Sequence, residues 1–140
     1  MKKILSVFML LAAASVLAVC AQAQVIVIAN PSVKADVITK NDLRGVFTGN
    51  AITLKDGSQV VPILLRDGAA HEEFLLAYIG KDDAAYRAGW RSILFSGQGM
   101  MPKTLDSEAA VVEVVKHTAG AIGYIERTTP HEGVKVLAVR

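Results

Sequence analysis

The 140-residue sequence predicts an α/β domain whose sheet is mixed, mostly parallel and flanked by helices, and three observations lead there. Short, β-branched apolar runs (VIVI at 25–28, VVPILL at 60–65, AIGYI at 121–125) have the composition of strands buried on both faces of a sheet. Longer stretches of helical periodicity separate them, and turn signals at Asn30-Pro31, Asp56-Gly57 and Pro130 to Gly133 mark the junctions. Strands alternating with helices are the pattern from which parallel sheets are built.

Val25 to Ile28 forms the first strand, ended by Asn30-Pro31. Thr39-Lys40-Asn41-Asp42 then opens a helix: the threonine hydroxyl can accept the Asp42 amide while that carboxylate reaches back. Leu43, Val46 and Phe47 share its apolar face, and Gly49 ends it. Val60 to Leu65 is a second buried strand, in which Pro62 calls for an edge or a bulge. His71, Phe74, Leu75 and Tyr78 follow the i, i+3, i+4, i+7 spacing of an amphipathic helix closed by Gly80. Asp82 caps the next helix, which sets Tyr86, Trp90 and Ile93 on one side as core. A glycine-rich loop, SGQGMMPK, leads to Asp106-Ser107-Glu108, a helix start with acid at the positive end of the dipole. That helix is rich in valine, a poor helix former, so the expectation rests on the cap and on Gly120 behind it. Ala121 to Ile125 and Val134 to Val139 complete the set as strands.

The first residues carry Lys2 and Lys3, an apolar run from Ile4 to Val19, and Ala21-Gln22-Ala23, a small-x-small cleavage pattern. Residues 1–23 therefore read as a signal peptide and residues 24–140 as one exported, periplasmic domain. The run is shorter than the roughly 20 residues of a spanning helix. Cys20 raises the alternative of a lipoprotein, although Val19 stands where such signals carry a small residue. Without Lys2 and Lys3 the 15 Lys and Arg fall to 13, matching 13 Asp and Glu. A neutral, cysteine-free domain offers no basic footprint for nucleic acid or an acidic membrane.

Two strand ends draw interest, Asn30-Pro31-Ser32 and Arg66-Asp67-Gly68, because ligands in α/β sheets sit at the carboxyl ends of strands. In RDGAAHEEF, Arg66 can act as a forked donor, the amides of Ala70 to Glu73 as a dipole end, and His71 as an extra donor. The opposing reading has Asp67 cap the helix and Glu72 and Glu73 supply its anions, with His71 on the helix surface. His117 is expected near a helix C-terminus, and Met100 and Met101 in a contact surface or the core. His131-Glu132 has no second pair at ligand spacing, so no metal is expected. The catalytic signatures Gly-x-Ser-x-Gly, His-Glu-x-x-His and Gly-Lys-Ser/Thr are lacking, so neither an enzyme nor a cofactor is expected.

ITKNDLRGVFTGN, FSGQGMMP and GAIGYIE resemble motifs in the second lobe of the periplasmic phosphate-binding proteins of ABC importers. The resemblance runs from about Val25 to Val139 and implies a single-lobe, type II periplasmic-binding-protein-like fold. GAIGYIE is its most specific part, since a side chain at Gly120 or Gly123 would disturb a strand entry. In that family the second lobe supplies an arginine followed by Ser-Gly-Thr at a helix start. Arg66 matches the arginine, whereas Gly68, Ala69, Ala70 and His71 stand where the hydroxyl donors would be, and the first lobe is missing. The resemblance implies a transport-type, non-catalytic protein with a small oxyanion such as phosphate as ligand, held by Arg66, Gly68, Ala69, Ala70 and His71, with Ser32 as a further candidate. A homodimer could close the half-site. The alternative is an envelope module that keeps a surface for a protein partner and has lost its ligand.

Overall fold

The computed structural model describes residues 25–97 and 102–140. The expected leader, with Cys20, and Met100 and Met101 lie outside the described residues. Six strands, β1 (Val25–Ala29), β2 (Val37–Ile38), β3 (Val61–Leu65), β4 (Lys103–Leu105), β5 (Ala121–Glu126) and β6 (Lys135–Val139), form one sheet in the order β2-β6-β1-β5-β3-β4. Among the described residues four α-helices flank it: α1 (Lys40–Phe47), α2 (Ala69–Phe74), α3 (Asp83–Phe95) and α4 (Glu108–His117). The expected mixed α/β sheet is present, with β2-β6, β3-β4 and β3-β5 parallel and β1 antiparallel to both β5 and β6.

The predicted caps are in place. Asp42 N donates to Thr39 Oγ1, Ala85 N to Asp82 Oδ1 and Ala110 N to Ser107 Oγ, each satisfying an orphan first-turn amide. The Asp42 carboxylate, expected to reach back to the cap, instead faces Lys55 at 3.9 Å. The helix expected around His71 is α-helical only to Phe74 and continues through Leu75–Ile79 as a π-helical segment, closed by Gly80 in the left-handed region (φ 75°). Strand β3 is interior, not an edge, so the reading of Pro62 needs correction. Pro62 lies opposite Ile122 of β5, and pairing with β4 begins only at Ile63, so the missing N–H falls where β3 has one neighbour. Strands β2 and β4 were not predicted.

Ile28, Leu43, Phe47, Ile63, Phe74, Val111, Ile122, Tyr124 and Ile125 fill the core. Phe74 stacks on Tyr124 and meets Phe47 edge-on, so α1, α2 and β5 share one aromatic cluster. Tyr86 and Trp90 are buried as expected and both donate to the Phe47 carbonyl, the last of α1. Burial pushes the Tyr86 hydroxyl up to about 12. Both glycines of GAIGYIE are needed: Gly120 has φ +76° and a Cβ there would run into the Gln59 carbonyl oxygen, and a Cβ on Gly123 would meet Val111 of α4 at 2.8 Å.

Candidate functional site

At the carboxyl end of β3 the chain turns through Arg66-Asp67-Gly68 into α2. Arg66 is exposed, and its Nε lies 2.7 Å from Oδ1 of Asp106, so the guanidinium already has an anionic partner on the loop between β4 and α4. An exposed pair of this kind contributes about 0–1 kcal/mol, which a ligand can displace. Asp67 is not the cap of α2, so that part of the opposing reading needs correction, while Glu72 does stand in the first turn as that reading expected. Gly68 holds the cap position with φ 101°, a conformation natural to glycine, and offers no side-chain hydrogen bond. The amides at the start of α2 are thus left without a side-chain acceptor at the cap.

His71 is buried, 2% exposed, and not a surface residue. Its Nδ1 lies 2.5 Å from the Tyr124 hydroxyl and its Nε2 2.7 Å from Oδ1 of Asp83. With a neutral ring one arrangement satisfies every group: Leu65 N–H donates to Tyr124 Oη, Tyr124 O–H to Nδ1, and Nε2–H to the Asp83 carboxylate. Arg87 Nε completes the series with bonds of 2.9 and 2.8 Å to both Asp83 oxygens. His71 therefore has no free donor for a ligand in this arrangement. Asp, His and a hydroxyl in series have the composition of a nucleophile relay, but Tyr124 is fully buried, and the cavity beside His71 measures about 10 Å³, space for one water at most.

Burial works against ionisation of Asp83, but hydrogen bonds from Arg87 and His71 outweigh it and hold the carboxyl below the ordinary 3.8. Burial likewise keeps Tyr124 protonated to higher pH than a free tyrosine. A carboxyl depressed in the fold stabilises fully above its unfolded value and ceases to as pH falls through the folded one. The melting-temperature gap between wild type and Asp83→Asn is therefore expected to be wide near neutral pH and to narrow below 3.8. Thermal melts across that range check it; a constant gap would mean that the charge of Asp83 is not what stabilises.

Ser32 does not join Arg66. Because β1 runs antiparallel to β5 and β3 parallel to it, the ends of β1 and β3 lie at opposite ends of β5. Ser32 Oγ accepts from Gly120 N, and the Asn30 amide donates to the carbonyls of Val115 and Lys116, so this turn ties β1 to the end of α4. The structure thus gathers Arg66, Gly68, Ala69 and Ala70 at one turn, buries His71 beneath it and leaves Ser32 at the far pole. Asp106, read from the sequence only as acid at a helix start, and Arg87 belong to the Arg66 neighbourhood and were not among the expected site residues. His117 stands at the C-terminus of α4, 3.4 Å from Glu113, and His131 Nδ1 bonds the Thr129 carbonyl. Among the described residues no cluster of three or more metal-ligating side chains occurs.

No family model matches the sequence, and no curated protein does. Solved structures do match. An ABC-type phosphate transport receptor from Vibrio cholerae aligns with TM-score 0.55 and 14% identity over 83% of this chain and 46% of its own. The corresponding values for PstS from Borrelia burgdorferi are 0.54, 18%, 84% and 47%. A Clostridium perfringens structure with bound phosphate, assigned as a phosphate ABC transporter substrate-binding protein, reaches 0.62 at 16% identity over 83% and 44%. This chain has the fold of one lobe of a phosphate-type substrate-binding protein. It spans less than half the length of each of these relatives. In this lobe the Arg66 turn lies at the carboxyl end of a sheet strand, the end at which α/β folds receive ligands.

Proposed function

We propose that residues 24–140 act as an exported, periplasmic, non-catalytic solute-binding-like domain, released from a signal peptide at 1–23, whose ligand is a small oxyanion such as phosphate. One observation carries this reading: an exposed arginine, Arg66, stands beside an uncapped turn of Gly68, Ala69 and Ala70 in a fold shared with a phosphate-bound structure. A guanidinium and backbone amides are the donors that oxyanions need. The fork of Arg66 exchanges Asp106 for the ligand. Because the turn faces water on its open side, a few charge-assisted hydrogen bonds yield weak affinity. A second copy of the chain, bringing its own Arg66 turn, is the most economical way to close the site. Two facing arginines repel until an oxyanion lies between them, so the dimer depends on ligand.

Melting and sedimentation of residues 24–140 in millimolar phosphate or sulfate, with Arg66→Ala as control, test this. At a hundredfold excess over Kd the ligand adds about 2.7 kcal/mol, roughly 10 °C in Tm for a domain of this size. The shift and the dimer are both expected to vanish in Arg66→Ala. Tight phosphate binding by a species that stays monomeric would remove the second copy, and the same shift in Arg66→Ala would remove the site.

A second reading, a protein-interaction module of the envelope, draws support from Phe95 and Ile52, which are 89% and 72% exposed. Absence of any shift with either anion would favour it.

A further inference from the structure

Arg87 makes three hydrogen bonds, and the third sets it apart from an ordinary surface residue of α3. Its Nε holds the carboxylate of Asp83, one turn earlier on the same helix, as many surface arginines do. Its Nη2 reaches off the helix to the main-chain carbonyl of Arg66, 2.5 Å away. The Arg66 N–H is held in turn by the Leu105 carbonyl of β4 at 2.9 Å. Both backbone polar groups of Arg66 are therefore fixed, one by a strand and one by a helix. With these two groups held, the direction of the Cα–Cβ bond is set, and so is the arc through which the guanidinium can swing. The planar trans peptide adds a second constraint: a carbonyl turned toward Arg87 turns the Asp67 N–H away from α3.

The anchor under Arg87 is itself anchored. Asp83 is bonded by His71 as well as by Arg87, His71 meets Tyr124, and Tyr124 accepts the Leu65 N–H. The turn from Leu65 to His71 is thus held at three places by one connected set of side chains: at the Leu65 amide, the Arg66 carbonyl and the His71 ring. The spare charge of Arg87 is neutralised by Asp83, so Arg87 holds the turn without offering a rival anion site.

We propose that Arg87 is the positioning residue of the Arg66 half-site, holding the Arg66 carbonyl so that the guanidinium is presented before any ligand arrives. This rests on the oxyanion reading of that turn. Preorganisation lowers the ordering cost of binding, and a displacement of about 1 Å at a binding group can cost large factors in function. A merely structural arginine would stabilise the fold and leave the presentation of Arg66 untouched.

Two measurements on residues 24–140 separate these cases, using Arg87→Met and, should that variant fail to fold, Arg87→Lys, which keeps the charge beside Asp83 and loses the fork that spans Asp83 and the Arg66 carbonyl. The first is amide hydrogen exchange without ligand. The amides of Arg66 and Glu72, bonded to Leu105 and Gly68, flank the turn. Their exchange is expected to accelerate about tenfold or more, while the Val61 amide of β3, bonded to the Gly120 carbonyl, keeps its rate. The second is inorganic phosphate titration, in which affinity is expected to fall by about tenfold or more relative to wild type. Unchanged exchange at Arg66 and Glu72 overturns the proposal, whether or not wild type binds phosphate. Equal phosphate affinity in wild type and variant overturns it too. If wild type takes no phosphate, the oxyanion reading fails by itself, and the exchange rates still decide whether Arg87 holds the turn.

Discussion

Gly123→Val is expected to destabilise the domain by about 3 kcal/mol, at the upper end of ordinary overpacking. A Cβ at this position would lie 2.8 Å from Val111 Cγ1 and 3.2 Å from Val115 Cγ2, and valine adds two further methyls. Both neighbours sit on α4 and are β-branched, with one strongly preferred helical rotamer, so neither can turn aside. The helix must lift from the sheet, and α4 against β5 is a principal contact of the fold. Arg66→Ala, by contrast, removes an exposed pair and costs about 1 kcal/mol or less. Gly89→Ala is the control for glycine substitution as such: a Cβ on that exposed position in α3 meets nothing within 4 Å, and alanine should stabilise by about 0.5–1 kcal/mol. Urea melts of the three variants give the order directly. Equal midpoints for Gly123→Val and Arg66→Ala would show that α4 yields more readily than its packing indicates.

His71→Ala is expected to cost about 3 kcal/mol or more, because it strands two partners and opens a hole. The Tyr124 hydroxyl loses its acceptor in a fully buried position, and Asp83 loses one of its two donors. Tyr124→Phe strands the Leu65 N–H and His71 Nδ1 in the same way, at about 1–3 kcal/mol. Once one member is gone, removing the other does little further harm, so the double variant should cost less than the two single losses together. Strict additivity in denaturant titrations would show that the bonds act independently.

The sequence shows most of the elements and little of how they meet. Thr39, Asp82 and Ser107 announced their helices because capping is a local exchange between a side chain and an amide three residues on. Strands β2 and β4 escaped notice because two or three residues carry no periodicity to read. The burial of His71 had a signal: it falls on the stripe with Phe74 and Leu75, and only its polarity argued for the surface. What overruled polarity was a tyrosine 53 residues away in sequence. The candidate site was half legible for the same reason. The Arg66 turn is contiguous, whereas Asp106 and Arg87 reach it through tertiary contact, and Ser32 is excluded by the direction of β1, which long-range pairing sets.

Of the six strands β1 is made first, yet its two neighbours, β5 and β6, are made last. The segment Val25–Ala29 is the third of six strands across the sheet, with β6 on one side and β5 on the other, and its partners are Glu126 for Val25 and Leu137 for Val27. While the chain is being synthesised, the strand that will lie inside the sheet waits some hundred residues for either neighbour to exist. Closing such distant pairs places the domain among slowly forming topologies. Until then VIVIA is a bare, uncharged, β-prone edge, the kind of segment that recruits other chains. A molecule shortened before β5 would keep that strand and lack both of its covers, so loss of the last twenty residues should lead to aggregation rather than to a smaller, looser version of the same fold.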